Sequence, residues 1–137
     1  MANGYVVLND GMVVIAKWVG HIPVEELIAH ERKRSADSSI KSGAVMLMEA
    51  RSAVFETTQE SACELSELIT QSSRQKRISK YAMLVSDEEY QIAKAHEREN
   101  LTRCLNTIVF SSLTVACKWL GIDFDQARQS MEAMKLE

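Results

Sequence analysis

The chain has little of what most often builds a catalytic loop. Only five glycines and one proline occur in 137 residues, and there is no GxGxxG, GxxxxGK[ST] or GxSxG run. A phosphate-cradling loop needs backbone N–H groups that converge freely, which glycine permits, so P-loop nucleotide hydrolysis and serine-hydrolase chemistry are disfavoured. The three cysteines, Cys63, Cys104 and Cys117, are odd in number, widely spaced and without a CxxC pair. That is the usage of an intracellular protein holding reduced, packed thiols, so secretion is not expected. No apolar run approaches the ~20 residues needed to span a bilayer, and MANGYVVLNDG at the N-terminus lacks a basic segment followed by an apolar one. Charge of one sign is not in excess either. A net charge of -3 carries no polybasic bias, and the 6% of aromatics do not alternate with basic residues along a strand face. Broad electrostatic attachment to nucleic acid or an anionic membrane, and a stacking platform for single strands, are therefore disfavoured. What is present is 46% apolar and 26% charged residues, the balance of one soluble domain, expected in the cytoplasm.

Patterning along the chain predicts alternating strands and helices. YVVL and MVVIAKWVG flank Asn9, Asp10 and Gly11, and Asp-Gly between β-branched runs is a hairpin signal, because Gly accepts the positive φ of a tight turn. Gly20 is expected to end the second strand, and Pro23 to start a helix whose face carries Val24, Leu27 and Ile28. GAVMLMEA reads as a strand covered on both faces, breaking after Met48 into a turn over residues 51–57. Thr57 and Glu60 fit a capping box, as do Ser86 and Glu89, and Ser111-Ser112 opens a helix that stops at Gly121. The β-β-α-β-α-β-α-β-α order implies an α/β sandwich of one domain, residues 1–121. It contains a mostly parallel five-stranded sheet with an N-terminal hairpin edge, flanked by about four helices. Residues 122–137 form an amphipathic tail helix with Ala127, Met131 and Met134 on one face, free to dock on its own domain or on a second copy.

Four stretches give this order a family likeness. Val19-Gly20-His21-Ile22, Met46-Leu47-Met48-Glu49-Ala50-Arg51, Tyr81-Ala82-Met83-Leu84-Val85 with Tyr90 and Glu97, and Val109-Phe110 with Ala116 and Trp119-Leu120 resemble the SpoIIAA-like, STAS-type domains of bacteria. Those domains are distantly similar to anti-anti-sigma factors and to lipid-binding CRAL-TRIO domains. The resemblance implies the fold and a regulatory or binding role, and rests mostly on packing positions. The anti-anti-sigma phosphorylation turn, Asp-Ser-Ser-Gly, is absent. Residues 51–57 stand in its place, leaving Ser52 and Thr57 as substitutes.

Candidate site residues fall at two edges. The carboxyl ends of parallel strands, where helix N-termini converge, collect Glu49, Arg51, Thr57, Thr58, Ser86, Ser111 and Ser112 as a ligand-binding set. Arg51 could clamp an anion there, although caps and a structural Glu49–Arg51 pair explain the same residues. The opposite edge gathers Arg32, Arg34, Arg74, Lys76 and Arg77 at helix C-termini, where an acidic partner could dock on charges that the helix dipole alone would place. His30-Glu31-Arg32 and His96-Glu97-Arg98 repeat a triplet that is not HExxH and reads as coincidence on helix surfaces, so no metal and no cofactor is expected. Buried, unassisted thiols read as packing. The expectation is a non-enzymatic module that recognises a protein partner or a small apolar or anionic ligand. The alternatives are a small enzyme using Glu49 and Arg51, or a self-associating domain, most simply a homodimer.

Overall fold

The β-branched runs on either side of Asn9-Asp10-Gly11 pair antiparallel as β1 (Ala2–Leu8) and β2 (Val13–Pro23) in the computed structural model, which describes residues 2–56, 59–75, 78–102 and 106–136. Asn9, Asp10 and Gly11 all take positive φ, 52°, 55° and 90°. A Cβ on Gly11 would lie 2.2 Å from the Ser39 carbonyl oxygen, so the turn needs glycine for space as well as for φ. The Lys41 N–H donates to the Gly11 carbonyl at 2.9 Å, tying this turn to the loop before the central strand.

The remaining elements are α1 (Val24–Ser35), β3 (Val45–Glu56), α2 (Gln59–Gln75), β4 (Lys80–Val85), α3 (Tyr90–Thr102), β5 (Thr107–Phe110), α4 (Leu113–Leu120) and α5 (Phe124–Ala133). The five strands lie in the order β1-β2-β3-β4-β5, with only the first pair antiparallel. Each right-handed crossover therefore steps the same way across the sheet, and α1, α2 and α3 all land on one face. Their Leu27, Leu65 and Ala93 bury Trp18, Met46 and Met83. On the other face Leu113, Ala116, Ala127 and Met131 of α4 and α5 bury Ile15, Leu47 and Leu84. The tail helix thus docks on its own sheet. Beyond it the chain crosses β1, where a Cβ on Gly4 would meet the Lys135 carbonyl at 3.3 Å.

Two strands run further than the sequence predicts. β2 continues past Gly20 to Pro23, and β3 continues through the expected turn to Glu56. Lys17 pairs with Glu49 and Val19 with Ser52, two residues against three, so what looked like a break is a bulge at Ala50-Arg51. The extra residue explains the misreading. Met46, Met48 and Ala50 share a face, and so do Ala53 and Phe55, but the step between the two sets is three rather than two. Beyond the bulge β3 outlasts β4, leaving its backbone without a strand on that side.

α3 and the turn leading into it supply what the unpaired backbone lacks. The Phe55 N–H donates to Glu89 Oε1 at 3.2 Å, and the Val109 N–H of edge strand β5 donates to Glu97 Oε2 at 2.7 Å. Both carboxylates are buried. This corrects the expected box at Ser86: Glu89 approaches Ser86 only through its backbone N–H, which donates to the Ser86 carbonyl at 3.2 Å, while its carboxylate serves β3. The other expected box rests on Thr57, which lies outside the described residues. At α4 the Ser112 side chain accepts from the Val115 N–H, and Gly121, at φ 74°, closes the helix with its N–H on the Cys117 carbonyl. Asp123 caps α5 by accepting the Gln126 N–H at 2.8 Å.

Replacing Glu97 by Ala strands the Val109 N–H in the interior. The expected cost is about 2–3 kcal/mol in urea unfolding, with faster amide exchange at Val109 than at Leu84. A variant as stable as the parent would show that the edge does not depend on this carboxylate.

Candidate functional site

Parallel sheets bind ligands at a point where the strand order reverses, and this order does not reverse. A cleft beside the middle of β2 and the bulge of β3 comes instead from α5, which lies against β2. It encloses about 290 Å³ and its polar lining includes Lys17, Glu49, Arg51, Ser52, Arg128 and Glu132, with Leu113 at the start of α4. Strand alternation puts the first two there. Lys17 follows Val13 and Ile15 on the α4–α5 face, and Glu49 follows Val45 and Leu47.

Glu49 is buried and held by Arg51. Its Oε1 accepts the Arg51 backbone N–H at 2.9 Å and Nε at 3.1 Å, and its Oε2 accepts Nε at 3.1 Å and Nη2 at 2.6 Å. Those bonds hold the guanidinium above its ordinary pKa. Arg128 is shared between Glu132, at 3.3 Å, and Asp125, at 3.7 Å. Lys17 differs: its ammonium donates to the Met131 carbonyl at 3.1 Å and meets no carboxylate among the described residues. Ser52, expected as a phosphorylation substitute, is exposed on this cleft, and of the other predicted ligand residues Ser111-Ser112 immediately precede its Leu113. Ser86 sits after β4 and is not part of the lining; Thr57 and Thr58 lie outside the described residues.

The predicted basic edge needs correction at Arg34. Arg32 is exposed, but Arg34 is buried and bonded to the buried Glu31 three residues earlier, because both continue the inward stripe that begins at Leu27. It cannot meet an acidic partner. Lys76 and Arg77 lie outside the described residues, and nothing is described of the Arg74 side chain.

In the repeated His-Glu-Arg triplets the arginines are exposed but the histidines and glutamates are not surface features. His30 and His96 are 6% and 9% exposed, and both line one cavity of about 60 Å³ between the sheet and α1, α2 and α3. Helical spacing was the signal that could have found them. His30 lies three residues after Leu27, and His96 three after Ala93, on the buried stripes of their helices. The Trp18 ring lies 4.7 Å from the His30 ring, and Tyr5 meets His30 edge-on at 5.5 Å. Burial pushes His30 down to about 4, with the charges of Arg34 and Lys33 adding to it. His96 is pushed down to about 4 by burial, against the opposing charge of Glu99. Among the described residues no His, Cys, Asp and Glu set could hold a metal ion.

Two neutral buried imidazoles make the fold acid-sensitive. The unfolded chain takes up these protons near the ordinary value of 6.5, while the folded rings resist until about 4, so stability is full above 6.5 and falls as pH drops through that window. Between pH 7 and pH 5 the loss is about 2 kcal/mol per ring. Urea unfolding at the two pH values checks this, and the His30→Gln, His96→Gln double variant should lose that part of the slope.

No protein-family model matches the chain, and no curated protein matches it. A solved structure is similar to it: an uncharacterised protein of the DUF3478 family from Shewanella loihica, with a SpoIIAA-like fold. Identity is 15%, the match covers 87% of this chain and 92% of that one, and the TM-score is 0.53. At that identity the likeness speaks for architecture. With its five-stranded, mostly parallel sheet and flanking helices, the chain has a SpoIIAA-like α/β fold.

Proposed function

We propose that this chain is a non-enzymatic regulatory or binding module whose ligand or partner presents an anionic group to the cleft under α5. The observation that carries this reading is Lys17, whose charge meets no carboxylate among the described residues in a space large enough for a small ligand. Arg51 and Arg128 border the same space and can each turn a further N–H toward an anion. An acid–base role for Glu49 is poorly served by its surroundings, since both of its oxygens are engaged by Arg51. The Cys117 thiol is raised by burial, which disfavours the thiolate a nucleophile needs. No helix among the described residues is long and apolar enough to cross a membrane, so the reading concerns a ligand or partner met at the protein surface. Ser52 is exposed at the cleft, and a phosphate placed on it would occupy the same anion position.

Isothermal titration with pyrophosphate and with citrate tests the reading. Saturable binding of at least one is expected, weakened about tenfold or more by Lys17→Met and largely kept by Lys17→Arg, as the loss of one charge-assisted bond implies. No binding of either anion at millimolar concentration, or equal binding by Lys17→Met, would overturn it.

A further inference from the structure

The cavity beneath α1, α2 and α3 lies on the opposite face of the sheet from the α5 cleft, and its polar groups ask for a different kind of molecule. We propose that it is a second binding site, for a small uncharged compound with an apolar body and one oxygen that accepts hydrogen bonds.

Buried donors in a folded protein almost always find an acceptor. Trp18 is fully buried, yet its indole N–H has no partner among the described residues. His30, 6% exposed, likewise has an unpartnered Nε2. The two rings are 4.7 Å apart and both residues line the cavity, so the two orphaned nitrogens belong to side chains that border one small volume. An indole N–H can only donate, and the neutral imidazole can place its proton on Nε2, so the missing partner is an acceptor.

The walls define the rest of the ligand. Leu65, Met48, Met83 and Ala93 supply an apolar surface from α2, β3, β4 and α3. Glu31 and Glu89 also border the space; Glu31 is neutralised by Arg34, but Glu89 is bonded to the neutral Phe55 N–H, so an anion would meet its uncancelled negative charge. A cation would leave the indole N–H without its acceptor. About 60 Å³ exceeds the ~10–15 Å³ that one water occupies, so a group of a few heavy atoms fits. Half-exposed Ile92 of α3 stands in the wall and marks where the cavity reaches solvent.

Ordered water is the competing occupant, and the Trp18 indole N–H distinguishes the two. In the ¹⁵N-labelled full chain its resonance is assigned by Trp119→Phe, which removes the other indole. Titration with 2-butanone should move the Trp18 signal saturably, and sodium butyrate should not. Ala93→Leu, which fills the wall, and His30→Leu, which removes Nε2 while keeping apolar bulk, should each weaken the response tenfold or more with a dispersed spectrum retained. Either variant suffices if the other fails to fold. An indole signal that stays fixed throughout, an Overhauser contact to long-lived water that persists at saturating 2-butanone, equal binding by a folded variant, or equal binding of butyrate would each overturn the proposal. Because it rests on the opposite face, its outcome is separate from that of the anion titrations.

Discussion

A sheet whose strands run from one to five without reversal must carry all of its right-handed crossover helices on one face. That constraint shapes everything else in the molecule. One face is covered by α1, α2 and α3 as the strands are laid down, and the other stays bare until α4 and α5 fold back over it after the last strand. The C-terminal helix is therefore part of the core, with Ala127 and Met131 buried against the sheet, and the cleft beside Lys17 exists because α5 is there to make its far wall.

The same layout settles how unpaired backbone is handled. β3 runs past the end of β4, and β5 is an edge, so each presents N–H groups that no strand accepts. α3 lies over this region, with one carboxylate just before it, Glu89, and one on it, Glu97, each near an exposed stretch. Burying a carboxylate costs solvation, and here two backbone donors and Lys94 offset it. At the C-terminal end of the helix Asn100, fully buried, donates to Thr107 and pins α3 to the start of β5. The helix that closes the α-face is thus held by polar bonds as much as by its apolar stripe. At Trp18, His30, Glu26 and Arg34 the accounting stays open, and of these Trp18 and His30 line the cavity.

Charge pairs were legible where they were local. Glu49 and Arg51 are two apart, and the expectation that they would pair needed only strand alternation. The bulge at Ala50-Arg51 was less visible, because a slip of one in the apolar pattern looks the same in sequence as the end of a strand; only the continuing partner β2 shows that the strand goes on. Arg34 and the two histidines were misplaced for a related reason. Polar residue types were assigned to the solvent side, whereas their helical spacing from Leu27 and Ala93 places them inward.

By itself the sequence determined the α/β class, the element order, the hairpin turn at Asn9-Asp10-Gly11, the stop at Gly121 and the amphipathic tail, because each follows from local φ preferences or from periodicity within one element. Tertiary structure alone decided that Glu89 and Glu97 would serve strand edges, that Lys17 would face a cleft with no carboxylate partner among the described residues, and that His30 and His96, 66 positions apart in the chain, would share one cavity. Those are relations between elements. They depend on which helix lies over which strand, and that is set by chain topology and packing rather than by any residue's own preference.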